Sequence, residues 1–312
     1  MAAALHASQE RRMSSKKRLL ITGISGFTGY YVREEFAARG WEVFGCGSRE
    51  YAMPGYYQAD LLSEQALRGM LAEVQPQAVV HLAGIAFAAH RQPIDFYNTH
   101  VQGTLNLLNA LTASCTGLQK VLLASTSNVY GNTKAGVYDE TAPLKPFNDY
   151  GVSKLAMEYM AWLWRDKLPI VIARPFNYTG VGQAEHFLLP KIIKHFKERR
   201  ARIELGNLHV RRDYSDVRNV AEAYFRLVEC PVAKGAVNVC SGHAYSVHEV
   251  LEMMTEISGH RLQVAVNPEF VRRGEVELLY GSHEKLETIA GPMDWIPLGD
   301  TLRWMLDSGT GR

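Results

Sequence analysis

Thr22-Gly23-Ile24-Ser25-Gly26-Phe27-Thr28-Gly29 follows the apolar run Arg18–Thr22 directly and opens a helical stretch that reaches about Arg39. Three glycines at three-residue spacing, between a buried strand and a helix, each have their own physical reason. The first permits a tight turn, the second lets the backbone approach a phosphate closely, and the third lets the helix pack against the sheet. The helix then presents free N–H groups and the positive end of its dipole. The stretch therefore predicts a phosphate cradle, with Gly23, Gly26, Phe27, Thr28 and Gly29 against the pyrophosphate of a dinucleotide.

Outward from this junction, short buried runs alternate with helices. Gly40 stops the first helix, and Trp41–Cys46, Ala78–Leu82, Val121–Ser125 and Ile170–Ala173 read as strands, separated by helical stretches such as Asp95–Ala113. That alternation predicts an α/β fold, a doubly wound parallel sheet with right-handed crossovers. After Arg174 the order is less regular. Helices are expected at Phe187–Arg199, Asp216–Glu229, from Ser246 onward and at Leu298–Leu306, with strands at Ile203–Leu205, Ala236–Cys240 and Leu262–Val266. The expected division is a disordered leader over 1–16 and a dinucleotide-binding domain over 17–185, to which 214–245 returns. A smaller C-terminal substrate-binding lobe takes 186–213 and 246–312. Met13 reads as an alternative start.

The 312 residues are 47% hydrophobic and 21% charged, enough for a large core. A formal net charge of +2 argues for neither a nucleic-acid nor a membrane surface. Cys46, Cys115, Cys230 and Cys240 lack metal-ligand spacing, so reduced thiols and no metal are expected. No apolar run has the length of a membrane span, and the leader has no apolar core of a secretory signal. A cytoplasmic location is the expectation.

The second strand ends in Phe44-Gly45-Cys46-Gly47-Ser48-Arg49, with no acid before Glu50. An acid is usual here where the adenosine ribose hydroxyls of NAD are held. A hydroxyl at Ser48 and a cation at Arg49 suit an additional phosphate instead, so NADP(H) is favoured over NAD(H). Asp60-Leu61 and His81-Leu82-Ala83-Gly84 end later segments, where they are expected to flank the adenine and its ribose.

Tyr150 and Lys154 stand at i and i+4 and share a helix face. A neighbouring ammonium favours the phenolate, and the expectation is a Tyr150 pKa lowered toward working pH. A hydroxyl partner is expected from the strand end Ala124-Ser125-Thr126-Ser127-Asn128-Val129-Tyr130-Gly131.

Together, the glycine-rich start, His81-Leu82-Ala83-Gly84, the segment ending in Val129-Tyr130-Gly131, Tyr150-Gly151-Val152-Ser153-Lys154 and Arg174-Pro175-Phe176-Asn177 resemble the extended short-chain dehydrogenase/reductases over nearly the whole chain after Lys16. The resemblance implies a Rossmann-type fold. It implies catalysis by Thr126, by Tyr150 as proton donor, and by Lys154, which also holds the nicotinamide ribose. Arg174–Gln183 and Arg211–Val220 are most similar to the family's reductases of GDP-4-keto-6-deoxy-mannose, which make GDP-rhamnose. On that resemblance Ser127, Asn128, Asn177, Leu188 and Lys191 line a substrate site, with Arg212 and Arg272 on the diphosphate and Glu275 beside them. The Arg272 motif lacks the family's proline. His100 stands where the family carries an asparagine that braces the central helix and the cofactor loop, and it reads as a structural replacement.

Ser127 and Asn128 cannot act as carboxyl acid/base groups, which argues against the family's dehydratases. No cysteine lies between Ser125 and Gly131, which argues against its 3,5-epimerase/reductases. A nucleotide-sugar 4-epimerase with tightly bound NAD remains the alternative enzyme, and a non-catalytic dinucleotide sensor is the alternative of another class. The resemblance also implies a homodimer built on the helices at Asp95–Ala113 and Tyr150–Lys167.

Overall fold

The computed structural model describes residues 16–87, 90, 92–131, 136–271 and 277–309. Residues 1–15 of the expected leader lie outside these, as do Arg272 and Glu275. In chain order the strands are β1 (Arg18–Thr22), β2 (Glu42–Gly47), β3 (Tyr56–Gln58), β4 (Ala78–His81), β5 (Lys120–Ala124), β6 (Val137–Tyr138) and β7 (Ile170–Pro175). They continue as β8 (Asn177–Thr179), β9 (Arg202–Leu205), β10 (Arg211–Asp216), β11 (Gly235–Val239), β12 (Ala244–Ser246), β13 (Gln263–Val266) and β14 (Leu278–Gly281). The α-helices are α1 (Phe27–Ala38), α2 (Glu64–Val74), α3 (Pro93–Tyr97), α4 (Gly103–Ser114) and α5 (Asp149–Trp162). After them come α6 (Leu188–Lys197), α7 (Val217–Glu229), α8 (Val247–Ser258), α9 (Glu284–Ala290) and α10 (Leu298–Asp307).

Seven strands form one parallel sheet in the order β11-β7-β5-β4-β1-β2-β3. Its central strands are apolar on both faces because both are covered: Leu19, Leu20, Ile21, Val79, Val80, Val121, Leu122 and Leu123 are buried. Tyr31, Val32 and Phe36 of α1 and Val220, Tyr224 and Leu227 of α7 cover one face. Leu67 and Leu71 of α2, Leu107 and Leu111 of α4, and Met157 of α5 cover the other. Each such side chain contributes about 1.5–3 kcal/mol through burial. The order reverses between β1 and β4, and a crevice at the carboxyl ends of the strands is the ligand position such a switch creates.

A second sheet, β12-β10-β14-β6 with β8 beside β10, lies over those carboxyl ends through β8, which follows β7 after one residue. The polar sequence of β10 gives little warning of a strand. It becomes one because β8, β12 and β14 pair with it, and because buried Asp213 is satisfied by the N–H groups of Ser241 (3.0 Å) and Gly242 (2.8 Å). A further core joins α6, α8 and α10.

The stretch Asp95–Ala113 is not one α-helix. A π turn, Asn98–Gln102, separates α3 from α4 and carries His100 into the interior, where it is 1% exposed. The four cysteines are free, and burial pushes the Cys46 thiol up to about 12. Among the described residues no helix is long and apolar enough to cross a membrane.

Candidate active site

Gly23 has φ +71°, and its N–H donates to the Cys46 carbonyl at 2.9 Å. A Cβ on Gly23 would stand 2.8 Å from the backbone of Ala83, and one on Gly29 would stand 2.6 Å from Gly23 O and the Ile24 backbone. Packing therefore accounts for both. Gly26 differs: a Cβ there would meet Gly23 O at 3.2 Å and nothing else within 4 Å. Gly26 is also the N-cap of α1, which has no side-chain cap and no acid in its first turn. Open space above uncapped N–H groups fits a diphosphate. Thr28 Oγ1 hydrogen-bonds Tyr178 Oη at 2.8 Å, and the Phe27 ring stacks on Tyr178, which ties β8 to the glycine turn.

Along the rim, Ser48 and Arg49 are exposed just beyond β2. Their backbone is held by β3 and its end: Tyr56 Oη donates to the Arg49 carbonyl and Gln58 Nε2 to Ser48 O at 3.1 Å. Asp60 accepts from the Leu62 N–H at 2.9 Å, and buried Leu61 accepts at its carbonyl from Asn106 Nδ2 at 2.9 Å. Leu82 and Ala83 donate their N–H groups to Thr22, at O (3.1 Å) and Oγ1 (3.2 Å). Gly84 is exposed, and a Cβ there would come within 3.0 Å of His100 Nε2 and 3.5 Å of Lys154 Nζ.

Thr126, Tyr150 and Lys154 meet at the end of β5. Asn128 donates to Thr126 Oγ1 from its backbone N–H (3.2 Å) and from Nδ2 (3.0 Å). That leaves the Thr126 hydroxyl proton free to be directed at the Tyr150 phenol, whose pKa this hydroxyl lowers. Lys154 Nζ donates to the Ala124 carbonyl at 2.7 Å. The expected lowering of the Tyr150 pKa is not what the fold produces. Burial pushes the phenol up to about 12, the Thr126 hydrogen bond pulls it partly back, and Tyr178 pushes it further up. Burial instead brings Lys154 down to about 8. The tyrosine is a phenol at neutral pH.

Two buried histidines support this trio. The Ile85 N–H donates to His100 Nε2 at 3.1 Å, so the neutral ring carries its proton on Nδ1 and donates to Ser153 Oγ at 2.9 Å. Ser153 in turn donates to the Tyr150 carbonyl at 2.9 Å. Below it His81 bridges Thr22 (2.7 Å) and Thr104 (2.9 Å). Burial, with the Lys154 charge, holds both rings neutral, His81 down to about 3 and His100 to about 2. His100 thus braces the Gly84–Ile85 loop against α5. Sequence reasoning gave no role of their own to Ser153 and Glu158, and took His81 and Ser125 only as members of longer segments. Glu158, four residues beyond Lys154, was the one with a visible signal. It is bound by Ser125 Oγ and by Arg174, whose Nη2 stands 2.6 Å from Oε2.

On the other side of the crevice Asn177 pairs in register with Tyr214, and Arg212 lies two residues earlier on the same strand, its Nη1 donating to Arg211 O at 2.9 Å. Ser127 is buried in a 3-10 turn, Ser127–Val129, with Asn128 beside it. Leu188 begins α6. Lys191 is joined to β9, donating to Glu204 O at 2.8 Å, and lies over the Phe270 ring at 4.5 Å.

Residues 19–240 match the NAD dependent epimerase/dehydratase family. The chain belongs to this family. Among its relatives, a GDP-6-deoxy-D-talose 4-dehydrogenase of Aggregatibacter actinomycetemcomitans is 33% identical, over 88% of this chain and 91% of its own. A GDP-6-deoxy-D-mannose reductase of Pseudomonas aeruginosa is 32% identical, over 95% and 98%. The solved structure of RMD from Pseudomonas aeruginosa with NADPH superposes with a TM-score of 0.83 at 32% identity, covering 93% of this chain and 98% of that one. This epimerase/dehydratase-family member is an enzyme dependent on a nicotinamide dinucleotide.

Proposed function

We propose that the enzyme acts on a nucleotide sugar and reduces its C4 ketone with NADPH, converting GDP-4-keto-6-deoxy-mannose to GDP-rhamnose. The observation that carries this reading is the meeting of Thr126, Tyr150 and Lys154 at the end of β5, with Tyr150 one helical turn from Lys154 and its phenol pKa raised by burial. Reduction of a ketone needs an acid at the oxygen, and a phenol kept neutral by burial is that acid. NADPH supplies the hydride when bound. Gly23, Gly26, Phe27, Thr28 and Gly29 hold its pyrophosphate, Ser48 and Arg49 its additional phosphate, and Asp60, Leu61, Leu82, Ala83 and Gly84 its adenosine. Tyr150 gives its proton to O4 of the sugar, Thr126 orients the phenol, and the Lys154 ammonium stabilises the charge left on it. Ser127, Asn128 and Asn177 face the sugar, Leu188 and Lys191 lie toward the nucleotide, and Arg212 holds the diphosphate, with Arg272 and Glu275 assigned beside it from the sequence. In this reading 17–185 with 214–245 bind the dinucleotide, and 186–213 with 246–312 bind the sugar nucleotide.

The names of both curated relatives support a GDP-linked 6-deoxy sugar and differ in configuration at C4. The talose-type relative favours a second product, GDP-6-deoxy-talose, formed by hydride delivery to the opposite face. Incubation of the protein with GDP-4-keto-6-deoxy-mannose and NADPH, with NMR of the isolated sugar, tests both. Rhamnose supports the reading, talose replaces its stereochemistry, and no oxidation of NADPH overturns it. Interconversion of a nucleotide sugar by protein that retains NAD would install the 4-epimerase instead. Bound cofactor without turnover of any keto sugar would install the sensor.

Exposed apolar side chains support a homodimer through the helical stretches at 95–113 and 150–167. Tyr159 on α5 and Leu163 just beyond its end are 65% and 72% exposed, and Ile94 at the start of α3 is 60% exposed, large apolar side chains that a partner copy would cover.

A further inference from the structure

Three consecutive residues at the end of β5 are tied to three residues spaced by four along α5. The Ala124 carbonyl accepts from Lys154, the Ser125 hydroxyl donates to Glu158, and the Thr126 hydroxyl faces the Tyr150 phenol, whose pKa it lowers. Positions 150, 154 and 158 stack on one helix face, about 5–6 Å from one to the next. Two of these rungs belong to the residues assigned to the chemistry. The middle one, Ser125 to Glu158, has no part in it so far.

Glu158 is 5% exposed and Arg174 4%. The guanidinium grips the carboxylate twice, Nε to Oε1 at 3.0 Å and Nη2 to Oε2 at 2.6 Å. Its Nη1 donates to Tyr130 Oη at 3.1 Å, which donates to Asn238 Oδ1 at 2.6 Å. The carboxylate is therefore anchored through β7 and β11, independently of α5. A buried ion pair adds little net stability, because desolvation offsets its attraction. A pair placed here does something else: it sets where the strand end lies on the helix.

We propose that Glu158 is a positioning residue of this site, which, anchored by Arg174, fixes Ser125 and so the adjoining Thr126 against Tyr150, and presents its negative charge to the Lys154 ammonium one turn away. The proposal rests on the reading that Thr126, Tyr150 and Lys154 carry the reaction. The groups facing Lys154 are His81 from β4, His100 from the π turn, and Tyr150 and Glu158 from its own helix. The two imidazoles and the phenol are neutral. The Glu158 charge opposes the burial that would otherwise deprotonate Lys154 more readily.

Two variants separate position from charge. Ser125→Ala cuts the rung without exposing or unpairing a charge. Turnover of GDP-4-keto-6-deoxy-mannose should fall roughly ten- to a hundredfold, with KM for the sugar and Kd for NADPH unchanged within about twofold. Glu158→Gln keeps an acceptor for Ser125 but removes the charge. In ligand-free protein labelled at the lysine side-chain carbons, NMR should show the Lys154 titration midpoint about one unit lower or more, and Glu158→Asp should restore most of it. If Glu158→Gln does not fold, the double variant with Arg174→Gln removes both charges and is read by the same titration. Wild-type turnover in Ser125→Ala, or an unmoved midpoint without the Glu158 charge, overturns the proposal. Full turnover in Tyr150→Phe would instead overturn the reaction assignment, and the titration needs no substrate.

Discussion

His100 Nδ1 donates to Ser153 Oγ at 2.9 Å, joining the π turn to the helix that carries Tyr150 and Lys154. Because the Ile85 amide occupies the other ring nitrogen, both hydrogen bonds require the neutral imidazole. Protonation would turn the Nε2 acceptor into a donor facing a donor, inside a region already bearing the Lys154 charge.

Stability should therefore decline on acidification. His81 and His100 are depressed to about 3 and about 2, against an ordinary 6.5. Between those limits the unfolded chain binds protons that the folded chain does not. The contribution is complete above about pH 6.5 and is lost as pH falls. Each ring sets a slope of about 1.4 kcal/mol per pH unit, or about 2.7 for the pair. Urea unfolding at pH 7, 6 and 5 measures it. His100→Asn, which can keep an acceptor and a donor, should halve the slope, and an equal slope in that variant would contradict the argument.

Tyr150→Phe should reduce turnover at least ~10²-fold while NADPH affinity stays near wild type. In the unmodified protein the rate should fall as pH rises through about 8, where Lys154 loses its proton. No loss attributable to Tyr150 ionisation is expected near neutrality, since the phenol is raised to about 12. A rate that climbs steadily from pH 8 to 10 would show that the ammonium is not needed.

Arg49→Ala should weaken NADPH binding and leave NADH binding nearly unchanged. Fluorescence titration of both cofactors against both proteins gives the comparison. If the unmodified protein prefers NADH, the exposed Ser48–Arg49 turn is not a phosphate site.

Arg212→Ala should raise KM for the GDP-sugar about ten- to a hundredfold, the equivalent of one charge-assisted hydrogen bond of ~1.5–3 kcal/mol, with a smaller effect on turnover. Calorimetric titration of GDP and UDP reads affinity directly. Unchanged GDP affinity in the variant removes Arg212 from the site, and tighter UDP binding by the unmodified protein would change the nucleotide.

In the proposed dimer, charging Tyr159 on α5 and Leu163 just beyond it should separate the subunits. Tyr159→Glu with Leu163→Glu is expected to sediment as a monomer with an unchanged circular dichroism spectrum. A monomeric unmodified protein would dispose of the dimer.

The main sheet was legible because its strands are continuous apolar runs between helices, and six of the seven stand within two residues of where those runs lie. β3 was not, being three residues whose strand character comes from pairing with β2. β10 was hidden for another reason: Arg211-Arg212-Asp213-Tyr214-Ser215-Asp216 reads as loop until Ser241 and Gly242 arrive to satisfy Asp213. The face shared by Tyr150 and Lys154 was equally visible in spacing. Its electrostatics were not. Spacing put an ammonium near a phenol, but crowding from β5, β4 and the π turn governs both groups, so burial raises the tyrosine instead of the lysine lowering it. Glu158 lay on the same periodic face, whereas its partner Arg174 belongs to another element and only folding joins them.

The edge strand β11 pairs with β7 along Val171 to Pro175, yet it is encoded after the whole of β10 and α7. During synthesis the seven-stranded sheet cannot close until residue 239 has left the ribosome. The chain has by then produced Arg212, but β12 and β14, which pair with the strand that bears it, come later, so the main sheet is fully encoded before the opposite wall of the crevice can be finished.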